Sequence, residues 1–257
     1  LLWAIWALQQ YAHEMGNAIA YQEYGTFLED MLRFIESGKH PNLELKENGL
    51  LHIEGRDEPM TWMNSTVNGK PVVPRTGYVV EINALWYNAL KFIAEMAISN
   101  GKPEKAAELD ARADIAKESF QRIFVNPNGY LFDYVEDGIT DWSVRPNMIF
   151  PVAFDYSPLE PEQKKSVLDF CTRELLTPKG LRTLSPKSGG YNPIYAGAQT
   201  QRDYAYHSGT AWPWLGGFYM EACLKVYKRT RLSFVQRQML GYEDEMQNHV
   251  VGSISEL

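Results

Sequence analysis

Cysteine is nearly missing from this chain, which carries only Cys171 and Cys223. A disulfide framework and a cysteine-based metal spacing are therefore excluded, and a reducing compartment, the cytoplasm, is the expected setting. Positive charge is also scarce. The formal net charge is -7, and the one basic cluster, Lys225 to Arg231, sits at an expected helix end, so nucleic acid is not an expected partner. No apolar run approaches the roughly 20 residues that a membrane span needs. The opening LLWAIWALQQYAHEMGN has neither a basic leader region nor a cleavage pattern and reads as a buried helix. A P-loop, a G-x-S-x-G elbow and a dinucleotide fingerprint are all missing. HEMGN starts like the zinc motif H-E-x-x-H, but Asn17 stands where the second His would be, so no metal and no cofactor is expected. An initiator Met is absent and the chain stops at GSISEL, which leads us to expect a piece of a longer protein.

What the chain has in quantity is apolar and aromatic residues, 45% and 13% of the total, with 7 Trp and 15 Tyr. That is enough for a sizeable core. Segment 79–99 is apolar on nearly every face, which marks a helix buried on all sides, whereas 103–124 opens on Pro103 and carries one stripe, Ala106, Leu109, Ala113, Ala116, Phe120 and Phe124. An outer helix covering an inner one is the expected result. Residues 1–15 and 210–228 read as further inner helices, and 20–37, 161–176 and 231–249 as outer, amphipathic ones. Long polar loops, 38–78, 125–147 and 177–209, join them, with short β-like pieces such as GYLFDYV inside. Loops of this length in a compact domain usually carry function. Alternating inner and outer helices with long loops on one side suit a two-layered α/α toroid better than a short-turn bundle.

The loops hold the candidate chemistry. TWMNSTVNGKP (61–71) sets Trp62 beside Asn64; DWSVRPNMIFP (141–151) carries Arg145 and Asn147; GLRTLSP (180–186) carries Arg182; and QRDYAYHSGTAWPWL (201–215) packs Arg202, Asp203, His207 and Trp214 together. Guanidinium and carboxylate groups can grip paired hydroxyls while an indole face covers a sugar ring. The competing reading is a structural ion-pair network that ties the loops together.

TWMN, PRTGYVVEINALWYNAL, RPNMIFPVAF, LLTPKGLRTLSP, YNPIYAG, RDYAYHSGTAWPWLGGF and GSISEL, in this order along nearly the whole chain, resemble the C-terminal glucosidase domain of glycogen debranching enzymes, the amylo-α-1,6-glucosidase family. The resemblance implies an all-α fold, an (α/α)6 toroid of the glucoamylase-like type, with residues 1–257 forming part of one such domain as an incomplete barrel. It implies hydrolysis, with inversion, of the α-1,6-linked glucose at branch points of glycogen or a limit dextrin. The expected partner is glycogen or a branched α-glucan, with neither nucleic acid nor membrane involved. By motif, Trp62, Asn83, Arg145, Asn147, Arg182, Arg202, Asp203, His207 and Trp214 are expected to face the sugar.

Inversion needs a protonated carboxyl on one side of the glycosidic bond and a carboxylate that activates water on the other. The motif matched by GSISEL puts the base on Glu256. The acid is where the chain departs from the family, whose usual pattern is T-W-M-D; here the position is Asn64, and an amide has no titrating proton to give. Three readings stay open: another acid acts, with Glu81 the nearest candidate and Asp57 or Glu58 behind it; the acid has been lost and the protein binds glucan but cleaves poorly; or the roles are differently distributed. A glucan-binding module and a helical interaction scaffold are the alternatives to an enzyme.

Overall fold

In the computed structural model, residues 1–248 and 251–257 are described. Helix α1 (Leu2–Met15) turns through Gly16 into α2 (Asn17–Glu36). The long loop that follows holds strands β1 (Leu43–Leu45), β2 (Leu51–Ile53), β3 (Thr66–Val67), β4 (Lys70–Pro71) and β5 (Gly77–Val79). Helices α3 (Val80–Ser99) and α4 (Pro103–Phe124) come next, then β6 (Tyr134–Glu136), β7 (Ile139–Thr140), a 3₁₀ turn at Pro146–Ile149 and the short α5 (Phe150–Ala153). Helix α6 (Pro161–Leu175) leads through β8 (Leu176–Thr177) and β9 (Gly180–Arg182) to α7 (Gln199–Ala205). Strand β10 (Ala211–Trp212), α8 (Trp214–Tyr227), a 3₁₀ turn at Lys228–Arg231 and α9 (Leu232–Asn248) follow.

The helices pair as the hydrophobic patterns require. Helix α3 is buried along its length, from Val80 and Trp86 to Met96, and packs against α4, whose predicted stripe from Ala106 to Phe124 is buried throughout. Pro103 opens α4 at a position whose N–H would have no intrahelical partner. Each fully buried Leu or Phe of such a stripe contributes about 1.5–3 kcal/mol relative to exposure. Helix α1 packs on α2 and α3, α5 on α3 and α8, and α8 on α6 and α9. Among the described residues α1, α3, α5 and α8 thus form an inner layer and α2, α4, α6 and α9 an outer one, but α1, expected to be a buried helix, buries only the stripe Leu2, Ile5, Gln9 and Ala12. The predicted 231–249 helix is present as α9, and residue 249 lies outside the described residues.

The expectation of an all-α chain is corrected by three small antiparallel sheets: a five-stranded one in the order β1-β2-β5-β6-β7, a three-stranded one in the order β10-β9-β8, and the β3-β4 hairpin. Their strands run two or three residues each, too short to leave a readable alternation in the sequence. They form because long loops lying over a helical core bury backbone groups, and buried N–H and C=O groups must find partners. Strand β5 runs directly into α3 and β10 nearly so into α8, so the two larger sheets each meet the N-terminal end of an inner helix. Gly77 makes the first junction possible: its φ is +82°, and a Cβ there would lie 2.5 Å from the Val135 carbonyl oxygen.

Candidate active site

The loops meet on a cluster of aromatic rings. The Trp62 ring stands edge-on to Trp212, Trp214 and His207, with centroids 5.5, 5.1 and 5.1 Å away. Its indole Nε1 donates to Asn147 Oδ1 at 2.8 Å. Below Asn147 lies a dry charge cluster that holds this wall in place. Asn147 Nδ2 donates to Asp133 Oδ1 at 2.7 Å, and Asp133 in turn accepts from Arg75 Nε and Nη2 at 2.6 and 3.0 Å. Arg75 grips both oxygens of Glu81 with its remaining face. The pairing outweighs burial for Arg75, whose pKa is raised, whereas burial lifts Glu81 against the pull of Arg75, with Asp133 adding to the rise. Arg145 lies alongside, 3.8 Å from Asp133, and donates to the backbone carbonyls of Thr183 and His207 at 3.2 and 2.9 Å.

This cluster weighs against Glu81, the nearest candidate for an alternative acid. With 1% of its side chain exposed and both oxygens held by Arg75, Glu81 is held as one half of a buried ion pair. Asn83 is not a sugar ligand: fully buried, it pairs with both backbone groups of Leu51 and with the Val79 carbonyl, tying β2 to the start of α3. Asn147 and Arg145 act behind the wall, and Asp57 and Glu58 lie exposed on the loop after β2. Arg182, at the end of β9, donates to the Tyr191 hydroxyl at 2.9 Å and braces the loop that follows its own strand.

Of the other expected residues, Asn64, Arg202, Asp203 and Glu256 lie at the rim, whereas His207 is buried. Asn64 is exposed, between buried Met63 and buried Ser65, whose hydroxyl donates to the Asp203 carbonyl at 2.9 Å. Arg202 and Asp203 both bond Gln199 one turn earlier on α7, at 2.8 and 2.7 Å. His207 is fully buried, and neither ring nitrogen has a hydrogen-bond partner among the described residues. Burial, with Arg145 and Arg75 adding repulsion, pushes its pKa down to about 3, so it is neutral at physiological pH.

Glu256 is exposed at the mouth of a cavity of about 410 Å³ lined also by Trp212, Pro213, Trp214, Tyr242, Ile254 and Ser255. One carboxylate oxygen accepts from the Tyr206 hydroxyl at 2.8 Å. A second cavity of about 460 Å³ adjoins it across Pro213 and Ser255. The structure thus sets Glu256 and Trp62 against the same two rings, Trp212 and Trp214, with Asn64 two residues beyond Trp62. Four members of this arrangement, Arg75, Asp133, Tyr206 and Trp212, were not anticipated. Tyr206 and Trp212 lie within a stretch whose density of aromatic and polar residues could have flagged them, whereas Asp133 sits inside a β-like piece that gives no such signal. No group of three or more potential metal ligands occurs among the described residues.

The likeness to known proteins agrees with this architecture. The yeast neutral trehalase (Saccharomyces cerevisiae) superposes with a TM-score of 0.58 at 14% identity, over 75% of this chain and 36% of that one. The family 78 rhamnosidase of Bacillus sp. GL1 superposes with a TM-score of 0.60 at 14% identity, over 99% of this chain and 22% of that one. The fold is therefore that of the six-hairpin glycosidases. In sequence, the glycogen debranching enzyme of Saccharomyces cerevisiae is 26% identical over 68% of this chain, which spans 14% of that protein's length. The family described as amylo-alpha-1,6-glucosidase matches residues 1–257, and the chain belongs to it.

Proposed function

We propose that this chain is a glycoside hydrolase of the glycogen-debranching type, with Glu256 as the base that activates water against an α-1,6-linked glucose, inverting the anomeric centre. The observation that carries the reading is the Glu256 carboxylate, anchored by one oxygen and open at the other, at a cavity walled by Trp212 and Trp214. Indole faces cover a sugar ring, the carboxylate takes the proton of the attacking water, and the cavity volume suits a small saccharide. Glycogen or a branched α-glucan is the substrate, Trp62 and Trp214 are its walls, and Arg202 and Asp203 are its hydroxyl ligands. Cys171 and Cys223, both free and buried, are compatible with a cytoplasmic setting.

Asn64 favours a second reading, in which the protein holds glucan and cleaves it slowly. An amide cannot protonate the departing oxygen, and positioned general acids contribute about 10²–10⁴-fold. The test is glucose release from a dextrin bearing one α-1,6-linked glucose, with the full chain and its Asn64→Asp variant side by side. The expected result is weak release that the Asp variant raises by about 10²-fold or more, with β-glucose as the first-formed anomer. Equal, strong release from both would move the acid away from position 64. No release from either would remove the hydrolase reading.

A further inference from the structure

The exposed carboxylate of Glu256 lies in a segment, residues 251–257, without helix or strand. A base carried on such a segment would sample many orientations unless something fixed it, and small misplacements of a catalytic group are costly. The described residues offer one donor that does so, the Tyr206 hydroxyl at 2.8 Å from Glu256 Oε1. Resting on the hydrolase reading above, we propose that Tyr206 is the positioning residue of the base, holding one oxygen of Glu256 so that the other faces the water.

Tyr206 is itself firmly held, and by several kinds of contact. Its ring lies against Tyr195, His207 and Trp212, with centroids 5.5, 4.7 and 4.8 Å away. Its carbonyl accepts from Trp212 Nε1 at 3.0 Å and from Thr210 Oγ1 at 2.7 Å, while its N–H donates to the Arg202 carbonyl at 2.9 Å. The phenol therefore projects from a fixed frame. Burial and the adjoining carboxylate together push its pKa up to about 12, so the hydroxyl keeps its proton and remains a donor. The division of labour follows from the lone-pair inventory of a carboxylate, which can accept on one oxygen and still take a proton on the other. The same Trp212 that lines the cavity also bonds the Tyr206 backbone, so the sugar wall and the base share one support.

The test substrate is α-D-glucosyl fluoride. Water attacks C1, the C–F bond breaks, fluoride leaves with the electron pair, and the water proton passes to Glu256. Because fluoride leaves without being protonated, Asn64 does not block the reaction. Tyr206→Phe keeps the ring and its packing and removes only the hydroxyl. The expected result is a kcat lower by roughly 10- to 100-fold with KM within about twofold, and no further loss when Tyr206→Phe is added to Glu256→Gln. A Tyr206→Phe variant as fast as the unmodified chain would overturn the proposal. So would an equal loss in both backgrounds, since that is the signature of packing alone. No fluoride release from the unmodified chain would instead overturn the hydrolase reading, and the positioning role with it.

Discussion

Two sets of charged and polar side chains accompany the Trp62 ring, and they differ less in composition than in surroundings. Beneath it, Arg75, Glu81, Asp133, Arg145 and Asn147 are dry and bound mostly to one another. At the rim, Arg202 and Asp203 bond Gln199 on their own helix, Asn64 is exposed, and Glu256 spends one oxygen on Tyr206. Both sets combine loop residues with residues of a helix, α3 for the buried set and α7 for the rim, and both contain the residue types that sugars and catalysis require. A carboxylate with both oxygens in a buried ion pair is committed to holding structure. One with a free oxygen at a cavity mouth can accept a proton.

The largest expected effect tests the buried set. Arg75→Met leaves Glu81 and Asp133 in a dry site without the guanidinium that serves both, and removing one partner of a buried pair typically costs about 3–5 kcal/mol. Denaturant unfolding should therefore show a loss of that order. A loss below about 1 kcal/mol would mean that the cluster is hydrated or rearranges, and the contrast with the rim would weaken.

An intermediate effect comes from His207, which belongs to the same buried zone but carries no charge. Its folded pKa, about 3, lies below the ordinary value of 6.5, so between those limits the unfolded chain binds the extra proton. Stability present above pH 6.5 is thus lost as pH falls toward about 3, with a slope from this group of up to about 1.4 kcal/mol per pH unit. The measurement is unfolding free energy against pH for the unmodified chain and for His207→Phe, which should show a shallower decline. A His207 imidazole resonance that titrates near pH 6.5 would refute the assignment directly.

The inner and outer helices were legible because each runs for many turns. A stripe such as Ala106 to Phe124 repeats often enough to identify both the helix and its buried face. Strands of two or three residues offer no such repetition, and their pairing is fixed by loops distant in sequence, as when β5 joins β6 across the length of α3 and α4. The site was legible by composition and not by role. Trp62 and Trp214 are in ring contact and Trp214 and Glu256 line one cavity, whereas Glu81 and Asn83, expected in the same site, are buried clamps. Nothing in the local sequence says that Arg75 will close on Glu81 or that Asp133, more than fifty residues away, will take its other face. Burial of a charge is a property of the assembled loops, and it is what separates the two sets.

The smallest effect on stability, and the sharpest use of the contrast, belongs to Asp203. Its carboxylate accepts from the Gln199 amide on an exposed turn of α7, and replacing such a surface group usually changes stability by no more than about 0.5 kcal/mol. Asp203→Asn keeps a carbonyl acceptor in place, so Tm should hardly move. Binding should respond differently, because a carboxylate hydroxyl contact is worth about 1 kcal/mol or more over its neutral counterpart. The expected outcome is a several-fold weaker affinity for a branched maltooligosaccharide in calorimetry, with an unfolding curve that overlays the parent. If Asp203→Asn instead destabilised the chain as Arg75→Met is expected to, rim and interior would be one structural network, and the sugar contacts would have to be sought on the indole walls alone.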